Sequence, residues 1–420
     1  MKTFMLGWEF PPLISGGLGT ACYGLTKAMD RLGIEVIFVL PKGFESHSPG
    51  NVKVLSSEDI LTGKVPGGFK KLQFRTVSSS LKPYIDFESH RYPSRYSKRQ
   101  KSHLGFNFPG AGANYGMDMY SEVSNYANKA AQIAMMEEFD IVHAHDWMTY
   151  PAGIAASRVS GKPLVVHVHS TEFDRSGEHI NQRIYDIERE GMHAASKVLA
   201  VSNYTKNLIV RHYGVPPEKV EVVHNGVESD GYASSGFFAE KTDKIVLFLG
   251  RITMQKGPEY FIAAAKKVLE VISNVKFIMA GNGDMMHRMI DLAARLGIGH
   301  KVLFSGFLNG DEVRKAYQMA DLYVMPSVSE PFGITPLEAM RQNVPVIISK
   351  QSGIAETVAH ALKVDFWDIN EMANKIISVL KRPALQTTLG RNGFCESYRF
   401  RWEETAIRVR KIYEETLSPA

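Results

Sequence analysis

Apolar residues recur with two different periods along the chain, and the switching between them lays out the expected fold. Residues 3–6 form a short apolar run and residues 7–16 a loop bearing proline and glycine. Ala21, Leu25, Ala28 and Leu32 then recur at spacings of four, three and four, and Gly33 follows. That spacing collects four apolar side chains on one helical face, and the glycine supplies the stop. The run EVIFVL over 35–40 completes a strand–helix–strand unit. A second unit opens at Lys244, where IVLFLG reads as a buried strand and GRITMQKG as a glycine-bounded basic loop. Residues 258–271 read as a helix with Pro258 in its first turn, and VKFIMAGNG as strand and turn again.

Further apolar, β-branched runs follow in each half: DIVHAHDW, PLVVHVHS and KVLAVS in the first, KVLFSGF, DLYVMPS and VPVIISK in the second. Continuous apolar strands alternating with helices predict an α/β protein with two doubly wound parallel sheets in tandem and a cleft between them. The Gly-, Ser- and Asp-rich stretch 228–235 places the expected boundary near residue 230, giving domains at 1–230 and 231–399.

Length and composition narrow the class. At 420 residues, with 44% hydrophobic and 22% charged residues, the chain can bury two full cores without staples. A net charge of +5, from 49 Lys and Arg against 44 Asp and Glu, is too mild to imply nucleic-acid binding. Cys22 and Cys395 stand far apart, so neither a disulfide framework nor a cysteine zinc site is expected and a reducing cytoplasm fits. The opening MKTFMLGWEFPP has too short an apolar run for a secretory signal, and no 18-residue apolar stretch occurs.

Candidate chemistry gathers at the ends of the predicted strands. SGGLGT, residues 15–20, joins a strand to a helix start, where glycines let backbone N–H groups approach an anion. It lacks the Gly-Lys-Ser/Thr of a phosphate-binding P-loop and fits the dinucleotide fingerprint poorly, which disfavours a dehydrogenase. A tight turn accounts for it equally well. Arg251 and Lys256 lie five residues apart in the loop of the second unit, a planar fork and a mobile point charge suited to several phosphate oxygens. Solvated loop cations explain the pair as well. In SVSEPFGITPLEAMRQN, Thr335 reads as a helix N-cap with Pro336 at the first position and Glu338 closing a capping box, a structural role that competes with binding vicinal hydroxyls. Glu330 caps nothing obvious, and the N–H groups of Gly333, Ile334 and Thr335 would face an anion in the cleft. His143 and His145 share one strand face, as do His167 and His169; the inner member of each pair reads as packed core and the outer as reaching the cleft. With no matching carboxylate or His-Glu-x-x-His run, zinc is disfavoured, and no nucleophile elbow appears.

In order and spacing, WEFPPLISGGLG, HAHDW, VSNYTKNLI, VVHNGV, GRITMQKG and SEPFGITPLEAM resemble the retaining family 4 glycosyltransferases of the GT-B fold, in particular the branch holding bacterial glycogen and starch synthases. The resemblance spans nearly the whole chain and implies two Rossmann-like domains. The first would bind acceptor and the second the nucleotide sugar, with the final helix, about 400–420, crossing back to the first. It implies transfer of a sugar, glucose above all, from a nucleoside diphosphate to an α-glucan, with no metal or other cofactor. Transfer to a cell-surface glycan or glycolipid is the alternative, and a silent sugar binder the alternative outside enzymes. By the same resemblance, Gly17, Leu18 and Gly19 bring backbone to the donor phosphates, and Arg251 and Lys256 neutralise the leaving diphosphate. His145 contacts the donor sugar, Glu330 holds its hydroxyls, Glu338 binds the ribose, and Gly333, Ile334 and Thr335 offer main-chain donors. Where ADP-glucose synthases carry Lys-Thr-Gly-Gly-Leu, this chain has Ile14-Ser15-Gly16-Gly17-Leu18, so ADP, UDP and GDP all stay open.

Segment 70–101 reads as an insertion outside the core alternation. It holds nine Lys or Arg against Asp86 and Glu88, with Tyr84, Phe87, Tyr92 and Tyr96 interleaved. A solvated excursion, a saccharide-stacking surface and a weak peripheral contact with anionic lipid all fit it.

Overall fold

The computed structural model describes residues 1–11, 16–42, 69–78, 119–228 and 243–418. The first half builds β1 (Lys2–Leu6), β2 (Glu35–Lys42), β3 (Leu72–Ser78), β4 (Ile141–His145), β5 (Leu164–Val168), β6 (Lys197–Ala200) and β7 (Val220–Val222) into one sheet of order β3-β2-β1-β4-β5-β6-β7. The second half builds β8 (Lys244–Leu249), β9 (Val275–Ala280), β10 (Val302–Gly306), β11 (Leu322–Met325), β12 (Val346–Ser349) and β13 (Leu362–Val364) into a sheet of order β10-β9-β8-β11-β12-β13. Every strand pairing in both sheets is parallel. The two doubly wound sheets expected from the apolar runs are therefore present.

Parallel strands must be covered on both faces, and β4 and β5 are buried at every position. On one face of the first sheet Phe4, Val142, Val166 and Val198 pack under the helices Met119–Ala134 and Tyr150–Ser160. On the other, Met5, Ile141, Val165 and Leu199 pack against the helices Gly17–Arg31 and Trp402–Leu417. The chain thus returns from the second sheet and closes the first. Gly24 permits that closure: a Cβ there would lie 2.2 Å from the Trp402 indole. Thr405 Oγ1 donates to the His224 carbonyl at 2.9 Å, and Arg31 pairs with Glu403 at 2.5 Å.

Strand order reverses between β1 and β4 in the first sheet and between β8 and β11 in the second. At such a reversal the connecting helices leave on opposite faces, and a crevice opens beyond the carboxyl ends of the strands. The loops after β1, β4, β8 and β11 are those that hold the candidate residues.

One expectation changes here. The start of segment 70–101 is not an insertion, because Leu72–Ser78 extends the first sheet in parallel register with β2 from Val36↔Leu72 to Lys42↔Ser78. Its basic residues hid the strand by interrupting the apolar run, as the edge of a sheet allows. Residues 79–101, with their tyrosines, lie outside the described residues, as does the expected boundary at 230. Among the described residues no helix is long and apolar enough to cross a membrane.

Gly24→Ala is expected to lower the apparent melting temperature through overpacking against Trp402. The cost is about 1–3 kcal/mol, despite alanine's better helix propensity, and thermal denaturation followed by tryptophan fluorescence measures it.

Candidate functional site

On the second sheet, the loop after β8 turns through a short 3-10 segment, Met254–Lys256, and into the helix Pro258–Leu269. Gly257, at φ +60°, makes this turn possible: a Cβ there would lie 2.2 Å from the Pro326 carbonyl. The turn sets Lys256 against the loop after β11, where Nζ lies 2.5 Å from Glu330 Oε2. Ser327 Oγ donates to the same carboxylate oxygen at 3.2 Å. The Glu330 backbone is held too, its N–H donating to the Gln351 carbonyl at 3.0 Å and its carbonyl accepting from Gly353 N–H at 2.9 Å. Arg251 Nη2 donates to Gln255 Oε1 at 3.2 Å, which steers the guanidinium along the same loop.

The capping box expected at Thr335 does not form. Gly333, at φ +106°, occupies the N-cap and the helix runs Ile334–Arg341. Both polar side chains find partners on neighbouring elements instead: Tyr323 of β11 donates to Thr335 Oγ1 at 2.8 Å, and Tyr317 of the helix Gly310–Met319 to Glu338 Oε2 at 2.9 Å. Burial raises the Glu338 carboxyl above its ordinary value, and the Tyr317 bond opposes the shift. No side chain caps the helix, so its first turn, at Ile334 and Thr335, has the uncapped form that binds anions in other proteins. Ile334 itself packs against the first sheet's core cluster together with Leu18, so the two halves meet at this point.

On the first sheet, Gly17, Leu18 and Gly19 form the first turn of the helix Gly17–Arg31 behind the N-cap Gly16, and Gly19 N–H donates to the buried Glu9 carboxylate at 3.0 Å. At the ends of β4 and β5, register pairs His145 with His167. His143 stacks on His145 with ring centroids 4.3 Å apart, and His167 on His169 at the same spacing. His145 was expected to reach the cleft, yet it is 0% exposed. Its ring is stacked on His143, tilted against His167 and His169, and its Nδ1 lies 2.9 Å from His169 Nε2, which leaves His169 as the partly exposed member. Burial pushes the pKa of His143, His145 and His167 well below the ordinary histidine value, and that of His169 down to about 3, so all four are neutral at physiological pH. Asp146, at φ +59°, accepts from His169 N–H at 2.7 Å and Ser170 N–H at 3.3 Å, tying the two strand ends together. Burial lifts its carboxyl to about 7 against those two bonds.

Contacts between the halves were not foreseen. Ser329 Oγ donates to the buried Asp174 at 2.6 Å and lies 3.0 Å from the Tyr204 hydroxyl. Ser202 Oγ donates to the Pro331 carbonyl at 2.6 Å. Glu356 accepts from the N–H groups of Asn203 and Tyr204 at 2.7 and 3.1 Å and lies 3.1 Å from His224 Nε2. Only the first had a local signal, since Thr171-x-x-Asp174 is a capping-box pattern that the structure realises. Ser329 and Pro331 adjoin Glu330, so the loop carrying that carboxylate is pinned by the opposite half.

Residues 235–394 match the family model described as glycosyl transferases group 1, and residues 91–230 that of glycosyltransferase family 4. The chain is 33% identical over 374 residues to an uncharacterized glycosyltransferase of Methanocaldococcus jannaschii, across 86% of this chain and 83% of that protein. It is 23% identical over 424 residues to the glycogen synthase of Mycobacterium tuberculosis, across 98% and 94% respectively. The fold matches Anabaena HepE, in complex with UDP and glucose, with a TM-score of 0.71 at 19% identity, over 99% of this chain and 100% of that one.

Burial pushes the Glu356 carboxyl up, but the His224 contact and the two backbone N–H groups outweigh it and hold it below its ordinary value. Stabilisation from a depressed carboxylate is complete above its unfolded-state value and is lost as pH falls through the folded one, which here lies below the ordinary glutamate value. Wild type should therefore melt above Glu356→Gln at neutral pH, with the gap closing as the solution is acidified. Parallel melting curves at every pH would remove this contact from the stability of the protein.

Proposed function

The chain belongs to the family 4, group 1 glycosyltransferases, and we propose that it moves glucose, with retention, from ADP- or UDP-glucose to an α-glucan. The observation that carries this reading is the Lys256–Glu330 pair at 2.5 Å, set at the strand-order reversal of the second sheet beside the uncapped helix start at Gly333. A cation, a carboxylate and free N–H groups within one loop system suit a sugar diphosphate, which presents anionic oxygens and hydroxyls side by side. The glycogen synthase relative, aligned over 98% of the chain, supports the glucan acceptor.

Bond breaking leaves charge on the diphosphate. Arg251, Lys256 and the N–H groups of Gly333, Ile334 and Thr335 meet that charge from fixed positions, so they stabilise the transition state without reorganising. Gly17, Leu18 and Gly19 bring a second helix start to the same phosphates from the first sheet. Glu330 accepts from the sugar hydroxyls and Glu338 from the ribose. His145 Nε2, the nitrogen that His169 does not engage, is buried as the protein stands, so His145 meets the sugar only once its ring turns out of the stack. The leaving phosphate takes the acceptor's proton on the same face, so retention needs neither a protein base nor a metal. A second reading, transfer to a cell-surface glycan or glycolipid, rests on Ile14, which stands where ADP-glucose synthases carry lysine.

The test is a donor panel of UDP-, ADP- and GDP-sugars with and without glycogen and maltooligosaccharides, reading nucleotide release and acceptor mass. A glucose ladder on the glucan supports the proposal, and turnover that never extends a glucan discards the acceptor. Lys256→Ala and Arg251→Ala should each lower kcat/KM about 100-fold or more, equivalent to about 3 kcal/mol of transition-state stabilisation. Turnover should persist in EDTA. Full activity in both variants would discard the diphosphate assignment.

A further inference from the structure

The histidines at the ends of β4 and β5 hold more hydrogen-bonding capacity than the protein uses. His143 Nδ1 bonds the Tyr413 hydroxyl and His145 Nδ1 bonds His169, while Nε2 of each is buried without a partner. His167 is 1% exposed, and both its ring nitrogens are unpartnered. Unpaired buried polar atoms are costly, and the three rings lie close together: one ring nitrogen from each of His143, His145 and His167 is within 4.8 Å of the others.

We propose that His143, His145 and His167 form a binding site for a single divalent transition metal of the zinc type. Three features carry it. Strand periodicity puts His143 and His145 on one face, and the β4–β5 register sets His167 directly beside His145, so the backbone fixes the triad. An all-imidazole set selects zinc, cobalt, nickel or copper over magnesium and calcium, which prefer oxygen. The engaged nitrogens of His143 and His145 bond a tyrosine hydroxyl and a further imidazole, the outer partners that orient ligating histidines and direct the opposite nitrogen inward. Tetrahedral zinc with Zn–N near 2.0–2.1 Å wants nitrogens about 3.4 Å apart and each ring plane aimed at the metal, so the three rings, now within 19–30° of parallel, must turn out of their stack on binding. The partly exposed His169 beside His145 marks the way in.

Metal held here would take His145 Nε2, the atom assigned above to the donor sugar. Zinc would therefore inhibit a reaction that runs in EDTA. This consequence rests on the transfer reading, whereas binding itself does not.

EDTA-stripped full-length protein titrated with zinc chloride by calorimetry should bind one zinc per chain, and cobalt(II) should give the intense visible bands of a tetrahedral site. His167→Gln, which keeps a polar group in the stack, should weaken binding about tenfold or more, and Tyr413→Phe should weaken it with all three ligands in place. Absence of saturable binding by wild type, or affinity unchanged in both variants, overturns the site. In the donor assay zinc should suppress wild-type turnover while His167→Gln stays insensitive. Stoichiometric binding with unaltered turnover overturns the inhibitory role alone. A protein that binds zinc but turns over no donor would retire the transfer reading and leave the site standing.

Discussion

Parallel pairing of β1 with β4 and of β8 with β11 is the constraint on which the rest depends. Strands buried on both faces are apolar for most of their length, and apart from the stacked histidines of β4 and β5 the polar chemistry gathers at their ends. At each reversal of strand order the covering helices part, and a crevice opens beyond the strand ends. Arg251, Lys256 and Glu330 stand at one such end and the buried His145 at the other, with helix starts at Gly17 and Gly333 beside them. One topological rule, applied twice, thus supplies both walls of the site.

The walls differ in kind. The second sheet offers fixed charge, with Lys256 and Glu330 in contact and partly open to solvent. The first offers neutral imidazoles, stripped of protons by burial and stacked 4.3 Å apart. Charge at one wall suits an ionic group, and a dry neutral wall suits a group that must not be solvated. Asp146 links the two strand ends of the neutral wall through backbone N–H groups, so the histidines are held as a block.

How much of this was legible depended on the reach of each interaction. Periodicity located the helix Gly17–Arg31 because an amphipathic helix is written in neighbouring residues, whereas the final helix, Trp402–Leu417, was expected from the resemblance. Glu330 stood out because Pro-Phe-Gly behind it offers no capping duty. Thr335 misled, because the N-cap rule weighs local competition only, whereas Tyr323 and Tyr317 reach the helix start from neighbouring elements. Glu356 could not be found, since its partners Asn203 and Tyr204 lie about 150 positions away and a carboxylate in a turn carries no mark of them. Nor could the burial of His145 be read, because register between strands is not a local property.

The return of Trp402–Leu417 to the helix Gly17–Arg31 also bears on biosynthesis. Leu25 and Met29 form part of a face that this last helix covers, so while the ribosome is still making the second sheet the first stays uncapped on one side. The amino-terminal half emerges first but cannot finish folding on its own, and its open apolar face is exposed for the whole of the remaining elongation. A nascent chain of this kind has reason to engage a ribosome-associated chaperone, and truncation within the final helix would injure the half of the molecule that was synthesised first.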